Sequence, residues 1–141
     1  MQFRVALLFG AFILLCSLGV AQETTGVTIR APHTSAISGK EMYLAYCATC
    51  HGKEGKGDGP VASALKVPPA DLTTLAKRNK GKFPSGYVIN TITGPVGAPA
   101  HGSKEMPVWG PIFKNMEHQH ESEVRLRVAN LTEYIKSLQE K

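Results

Sequence analysis

Five consecutive residues, Cys47-Ala48-Thr49-Cys50-His51, constrain this 141-residue chain more than any others. On a helix, positions i, i+3 and i+4 lie on one face. Two thiols so placed can meet the two vinyl groups of a haem and form thioethers. The histidine after the second cysteine then turns its imidazole toward the iron, for which neutral imidazole is a good ligand. The spacing therefore points to the attachment site of a c-type haem, with Cys47 and Cys50 as the covalent anchors and His51 as an axial ligand. Such a chain folds around its cofactor.

Two other uses of a Cys-x-x-Cys pair compete. A disulfide across the pair is possible in an oxidising compartment, and so is a thioredoxin-like redox pair, but the redox pair normally follows a βαβ pattern, and none is visible. A zinc site needs two further ligands. His118 and His120 are the candidates, but they stand closer together than zinc-ligand histidines usually do.

The first residues have the three parts of a secretory signal. Arg4 precedes an apolar run from Val5 to Leu15, and Gly19-Val20-Ala21 supplies small residues for cleavage. The expected division is a signal peptide over 1–21, a flexible leader over 22–37 and a folded domain over 38–141. An uncleaved anchor is the alternative, since the segment from Val5 to Ala21 is at the lower limit for spanning a bilayer. A lipoprotein reading of Cys16 is weaker, because Leu15 before it is bulky. Export agrees with covalent haem attachment, which takes place outside the cytoplasm. Cleavage would also remove Cys16, leaving Cys47 and Cys50 as the mature chain's cysteines.

The net charge of +5 is a mild excess. No aromatic-basic motif accompanies it, and nucleic-acid binding is not expected. The roughly 120 residues after the signal suit one small domain with a limited core of its own. A large apolar cofactor at the centre would supply much of the missing contact, so the chain without haem is expected to be largely unfolded.

Ser38 can cap a helix, with Glu41 as the capping-box partner, and that helix is expected from about Gly39 to Cys50. Gly52 to Gly59 holds four glycines and must be a loop. It lacks the preceding strand and the Gly-Lys-Ser/Thr ending of a phosphate-binding loop. Pro68-Pro69-Ala70-Asp71-Leu72 reads as a turn. Ser85 to Thr93 is expected as a short helix, with Tyr87, Val88, Ile89 and Ile92 as its apolar positions. From Glu121 to Gln139, the residues Val124, Val128, Leu131, Ile135 and Leu138 form one apolar stripe. Glu123, Arg125, Arg127, Glu133 and Lys136 are expected on the polar face. No alternating strand pattern appears, and no second attachment motif, so the expectation is an all-α fold with one haem.

With these features the chain, from about Ser38 to Gln139, resembles class I cytochrome c, the small mono-haem electron carriers. The resemblance implies a small orthogonal helix bundle wrapped around one covalently bound haem c and its iron. Gly39 and Tyr43 stand where the family has a glycine and an aromatic that let the first helix cross the last. Leu131 and Tyr134 are the matching pair on the last helix. Pro60 is similar to the proline whose carbonyl takes the proton on the ligand histidine's other nitrogen, with Pro68 and Pro69 also following. Met106-Pro107-Val108-Trp109-Gly110 resembles the family's distal-ligand loop, which makes Met106 the second axial ligand. Its competitors are Met42, Met116, His101, His118 and His120. Trp109 either donates to a haem propionate or packs on the macrocycle edge, and packing is favoured.

With both axial positions filled, one-electron transfer is what remains. The expected function is a carrier between respiratory or periplasmic redox partners. Lys53, Lys56 and Lys66, and the cluster Lys77, Arg78, Lys80 and Lys82, would steer a partner with an acidic docking surface, or else form an ordinary solvated face. The alternatives are a peroxidase-like haem enzyme with an open sixth site, a sensor, and a dedicated cytochrome subunit of an oxidase or dehydrogenase complex. The expected location is the periplasm or another exported compartment, with membrane attachment only if the first segment is retained.

Overall fold

The computed structural model describes residues 31–94, 106–116, 118 and 120–140. The expected signal segment, the first part of the leader and His101 lie outside these residues. Among the described residues there are helices and no strands. They are α1 (Gly39–Tyr46), α2 (Ala48–His51), a 3-10 turn (Ala62–Ala64), α3 (Leu75–Arg78), α4 (Ser85–Thr93), α5 (Trp109–Met116) and α6 (Glu121–Ser137). The all-α class expected from sequence is what is found. No described helix is long and apolar enough to cross a membrane.

Ser38 caps α1 as expected: its Oγ accepts from the Glu41 N–H at 3.2 Å. The Ser38 N–H, however, donates to Ser35 O at 3.2 Å, so a backbone turn takes the place of the returning Glu41 side chain. The helix expected to run unbroken to Cys50 is divided at Cys47, whose φ of −111° opens the ladder by one residue. The bonds Cys47 N–H to Tyr43 O and His51 N–H to Cys47 O tie α2 directly to α1.

The crossing of α1 on α6 organises the fold. A Cβ on Gly39 would lie 2.8 Å from the Asn130 carbonyl carbon and 2.9 Å from Tyr134 Cβ. Only a residue without a side chain permits that approach. One turn along, the Tyr43 and Tyr134 rings meet with centroids 5.2 Å apart, and Leu131 is fully buried beneath them. Gly39→Ala is expected to destabilise the haem-loaded protein by about 2–3 kcal/mol through overpacking, lowering its Tm by about 10 °C. A melting curve followed by far-ultraviolet dichroism measures this, and an unchanged Tm would mean that the crossing is looser than described.

The stripe on α6 buries Val128, Leu131 and Ile135. Arg127 departs from expectation. It was placed on the polar face, yet it is only 2 % exposed. It stands next to Val128 and four residues before Leu131, so its side chain leaves from the edge of the stripe, where α5 and the segment before α1 cover it. The last part of the expected leader is likewise tied down. Asn130 Nδ2 donates to Ala36 O at 3.0 Å, and Thr34 is buried.

Candidate haem site

The second half of the attachment motif is held by the loop that follows it. Gly57 N–H donates to His51 O at 2.8 Å, Gly59 N–H to Cys50 O at 3.0 Å, and Leu72 N–H to Gly55 O at 2.7 Å. Gly57 has φ +80° and lies against the Pro69 carbonyl, leaving no room for a Cβ. The glycine-rich stretch thus folds back over α2 and brings the Pro68–Leu72 turn against His51.

His51 is buried, and its Nδ1 lies 2.9 Å from Ala70 O. A carbonyl oxygen only accepts, so Nδ1 carries the proton and Nε2 holds the lone pair. Burial lowers the imidazole pKa and the Ala70 bond opposes that in part. The site therefore favours the neutral ring, in the tautomer that can ligate a metal through Nε2. The expected carbonyl was that of Pro60, with Pro68 and Pro69 following, and the structure corrects this to Ala70. Val61 N–H bonds Thr49 O at 3.2 Å, which holds the exposed Pro60 against the outer turn of α2.

Ala70 is in turn fixed by its successors. Asp71 Oδ1 accepts from Thr73 N–H at 2.8 Å and from Thr73 Oγ1 at 2.6 Å. The Thr73 hydroxyl is the main reason the Asp71 carboxyl is held below its ordinary pKa. From the end of α6, Gln139 Nε2 donates to Leu72 O at 2.7 Å and its Oε1 accepts from Ala76 N–H at 2.8 Å. Neither Ala70 nor Gln139 was singled out from sequence. A backbone acceptor carries no side-chain signature, and Gln139 was read merely as the end of a helix.

Cys47 and Cys50 are free thiols. Cys47 is buried, and desolvation, with a smaller contribution from Cys50, pushes its pKa up to about 12. A catalytic Cys-x-x-Cys pair has its thiol pKa lowered, so this environment is the opposite of a redox motif. The zinc alternative gains nothing: His118 and His120 are exposed, and no group of three or more metal-ligating side chains occurs among the described residues.

Cys47 and His51 lie on the wall of a cavity of about 410 Å³, whose other walls include Leu72, Val88, Ile92 and Ile135. An adjoining lobe of about 100 Å³ is bordered by Cys50, Val67, Pro68 and Pro69. Met106 and Trp109 line both lobes. Met42 and Met116 line neither: Met42 is fully buried in the core beneath α1, and Met116 packs against that core from the end of α5. Arg78 and Asn79 bring polar groups to the larger lobe. Tyr87, one of the expected apolar positions of α4, is on this wall and 61 % exposed.

These residues fit a haem. The walls are apolar and the volume suits a large flat ligand. Two thiols stand at the edge, a nitrogen ligand is oriented by its own hydrogen bond, and Arg78 and Asn79 provide donors for carboxylates. α5, not expected from sequence, is what places Trp109 on the wall.

Searches of curated proteins and of solved structures returned no match. The family model for cytochrome c matches residues 36–139. That span runs from the turn that caps α1 to the glutamine that clasps the Ala70 segment, and so takes in the helix crossing, the thiols, His51 and the cavity. The chain belongs to the cytochrome c family, with the all-α class I fold and covalently attached haem c and its iron, for which Cys47 and Cys50 form the attachment motif.

Proposed function

We propose that this protein is a one-electron carrier whose iron is ligated by His51 and Met106. The observation that carries the reading is that these two side chains, alone among the candidates considered that the structure describes, lie on the wall of one cavity. Haem c supplies a one-electron couple between ferric and ferrous iron. The chain supplies the rest. His51 is held in the ligating tautomer by Ala70, Met106 offers a soft thioether that favours the reduced state, and Arg78 and Asn79 offer hydrogen bonds to the propionates.

Partners are redox proteins, as for the family generally. We read the docking face as basic. Lys77, Arg78, Lys80 and Lys82 are all exposed, and Arg78 among them borders the cavity, so an acidic surface would be steered to the haem side. Export follows from the composition of residues 1–21. The mature protein would begin at Gln22 and act in the periplasm or a comparable compartment, with an uncleaved anchor as the variant form.

Absorption and spin-state spectra of the purified protein test the ligation. Low-spin six-coordinate iron in both oxidation states is expected, and high-spin ferric iron would point instead to a haem enzyme. Docking is tested by stopped-flow kinetics with an acidic redox protein. The second-order rate is expected to fall roughly tenfold between about 10 and 200 mM salt, and a salt-independent rate would remove the electrostatic part of the proposal.

A further inference from the structure

The haem site as described leaves the buried Arg127 without a task. Burying a guanidinium is costly unless its donors are well satisfied, and here they reach a segment that precedes the first helix. Arg127 Nη1 donates to Thr34 Oγ1 at 3.0 Å and Nη2 to Thr34 O at 2.8 Å. Thr34 Oγ1 lies 2.7 Å from Tyr46 Oη, and Tyr46 Oη donates to Pro32 O at 2.6 Å. The tyrosine has one proton and gives it to Pro32. The threonine proton must then go to Tyr46, and the polar chain runs in one direction, from Arg127 through Thr34 and Tyr46 to Pro32.

Two members of that chain, Tyr46 and Arg127, meet one face of α5. The Tyr46 ring stacks on Trp109 with centroids 4.8 Å apart, and the Arg127 guanidinium carbon sits 5.9 Å from the Phe113 ring centroid. Trp109 and Phe113, at i and i+4, share a side of the helix, and their own rings are 5.5 Å apart. α5 has eight residues, too few to hold itself. Its first residue stands three positions after Met106, so whatever fixes α5 fixes the origin of the methionine loop.

We propose that Thr34, Tyr46 and Arg127 are positioning residues, a clamp that uses the segment before α1 to hold α5 and thereby keeps Met106 on the iron. The clamp rests on the reading of Met106 as the distal ligand. It also gives residues 32–36 a role in the closed state of the site.

The test uses the full haem-loaded protein and imidazole as a competitor for the distal position of ferric iron. The apparent affinity rises with the fraction of molecules in which Met106 has left. Tyr46→Phe, which keeps the ring, and Thr34→Val are each expected to tighten imidazole binding about five- to tenfold. The double variant is expected to add little to either, because both remove the same chain. Arg127→Leu is expected to do more, and Arg127→Lys to recover part of the loss. Tyr43→Phe is the control. It deletes an equally buried hydrogen bond, to Gly52 O at 2.7 Å, on the attachment side, and is expected to change the imidazole constant less than twofold.

The clamp is overturned if Tyr46→Phe and Thr34→Val both bind imidazole as the parent does while the parent shows the sulfur-to-iron charge-transfer absorption of a methionine ligand. It is equally overturned if Tyr43→Phe matches them. A parent that lacks that absorption, or a Met106→Ala variant that keeps it, refutes the ligand assignment itself, and the clamp falls with it. These two variants retain their falsifying power even if Arg127→Leu does not fold.

Discussion

With Cys47 and Cys50 both replaced by alanine and no haem attached, the exported chain is expected to give no cooperative thermal transition and little near-ultraviolet dichroism. The argument is one of magnitude. The cavity beside His51 has a volume of about 410 Å³. Without haem its apolar walls face water instead of the macrocycle, at roughly 25 cal/mol per Å² of apolar surface left uncovered. Small domains have only about 5–15 kcal/mol of net stability. The cavity also runs between α4, α6 and the turns around them, because Val88 and Ile92 face it from one side and Ile135 from another. A cooperative melt in the haem-free variant, with native-like near-ultraviolet signals, would show that the chain folds on its own.

The buried Cys47 bears on the order of events. A thiol whose pKa is pushed up to about 12 is a poor nucleophile near neutral pH. Thioether formation is thus far easier on an open chain than on the folded one.

Features set by local chemistry were legible in the sequence. The Ser38 cap, α4 over Ser85–Thr93 and the α6 stripe follow from capping preference and periodicity. The pairing of Gly39 and Tyr43 with Leu131 and Tyr134 followed from the resemblance, and close contact gives it a physical reason. What was missed depends on contacts between distant segments. α3 has four residues and no period to detect. α5 begins Trp109-Gly110-Pro111, which looks like more loop, and it is a helix because Tyr46 and Phe113 pack around Trp109. Arg127 carries a charge at the edge of the α6 stripe, and its burial depends on distant partners, Phe113 of α5 and Thr34, 93 residues away. At the site, the residue types could be read, but the carbonyl that orients His51 could not, since any backbone oxygen of the Pro68–Leu72 turn would have served.

Met106→Ala is expected to have the second largest effect, and in a different observable. The fold should survive. Met106 is only partly buried, and most of the core lies elsewhere, in Tyr43, Phe113, Met42 and Leu131. The ligand field should not survive. On the proposed ligation, loss of the thioether would leave His51 as the axial ligand, and the ferric iron is expected to become high-spin or water-ligated. Because thioether sulfur stabilises ferrous iron relative to harder ligands, the reduction potential is expected to fall by on the order of 0.1–0.2 V. Electron transfer to a high-potential partner should slow accordingly, and carbon monoxide is expected to bind the reduced variant and not the parent. Redox titration with parallel absorption spectra measures both changes. His101 lies outside the described residues, and it is the competitor that matters most. If the potential and spin state of Met106→Ala equal those of the parent while His101→Ala loses the low-spin signature, the distal ligand is the histidine. The cavity would then close over two nitrogens, at a lower potential, and the protein would suit a more reducing pair of partners.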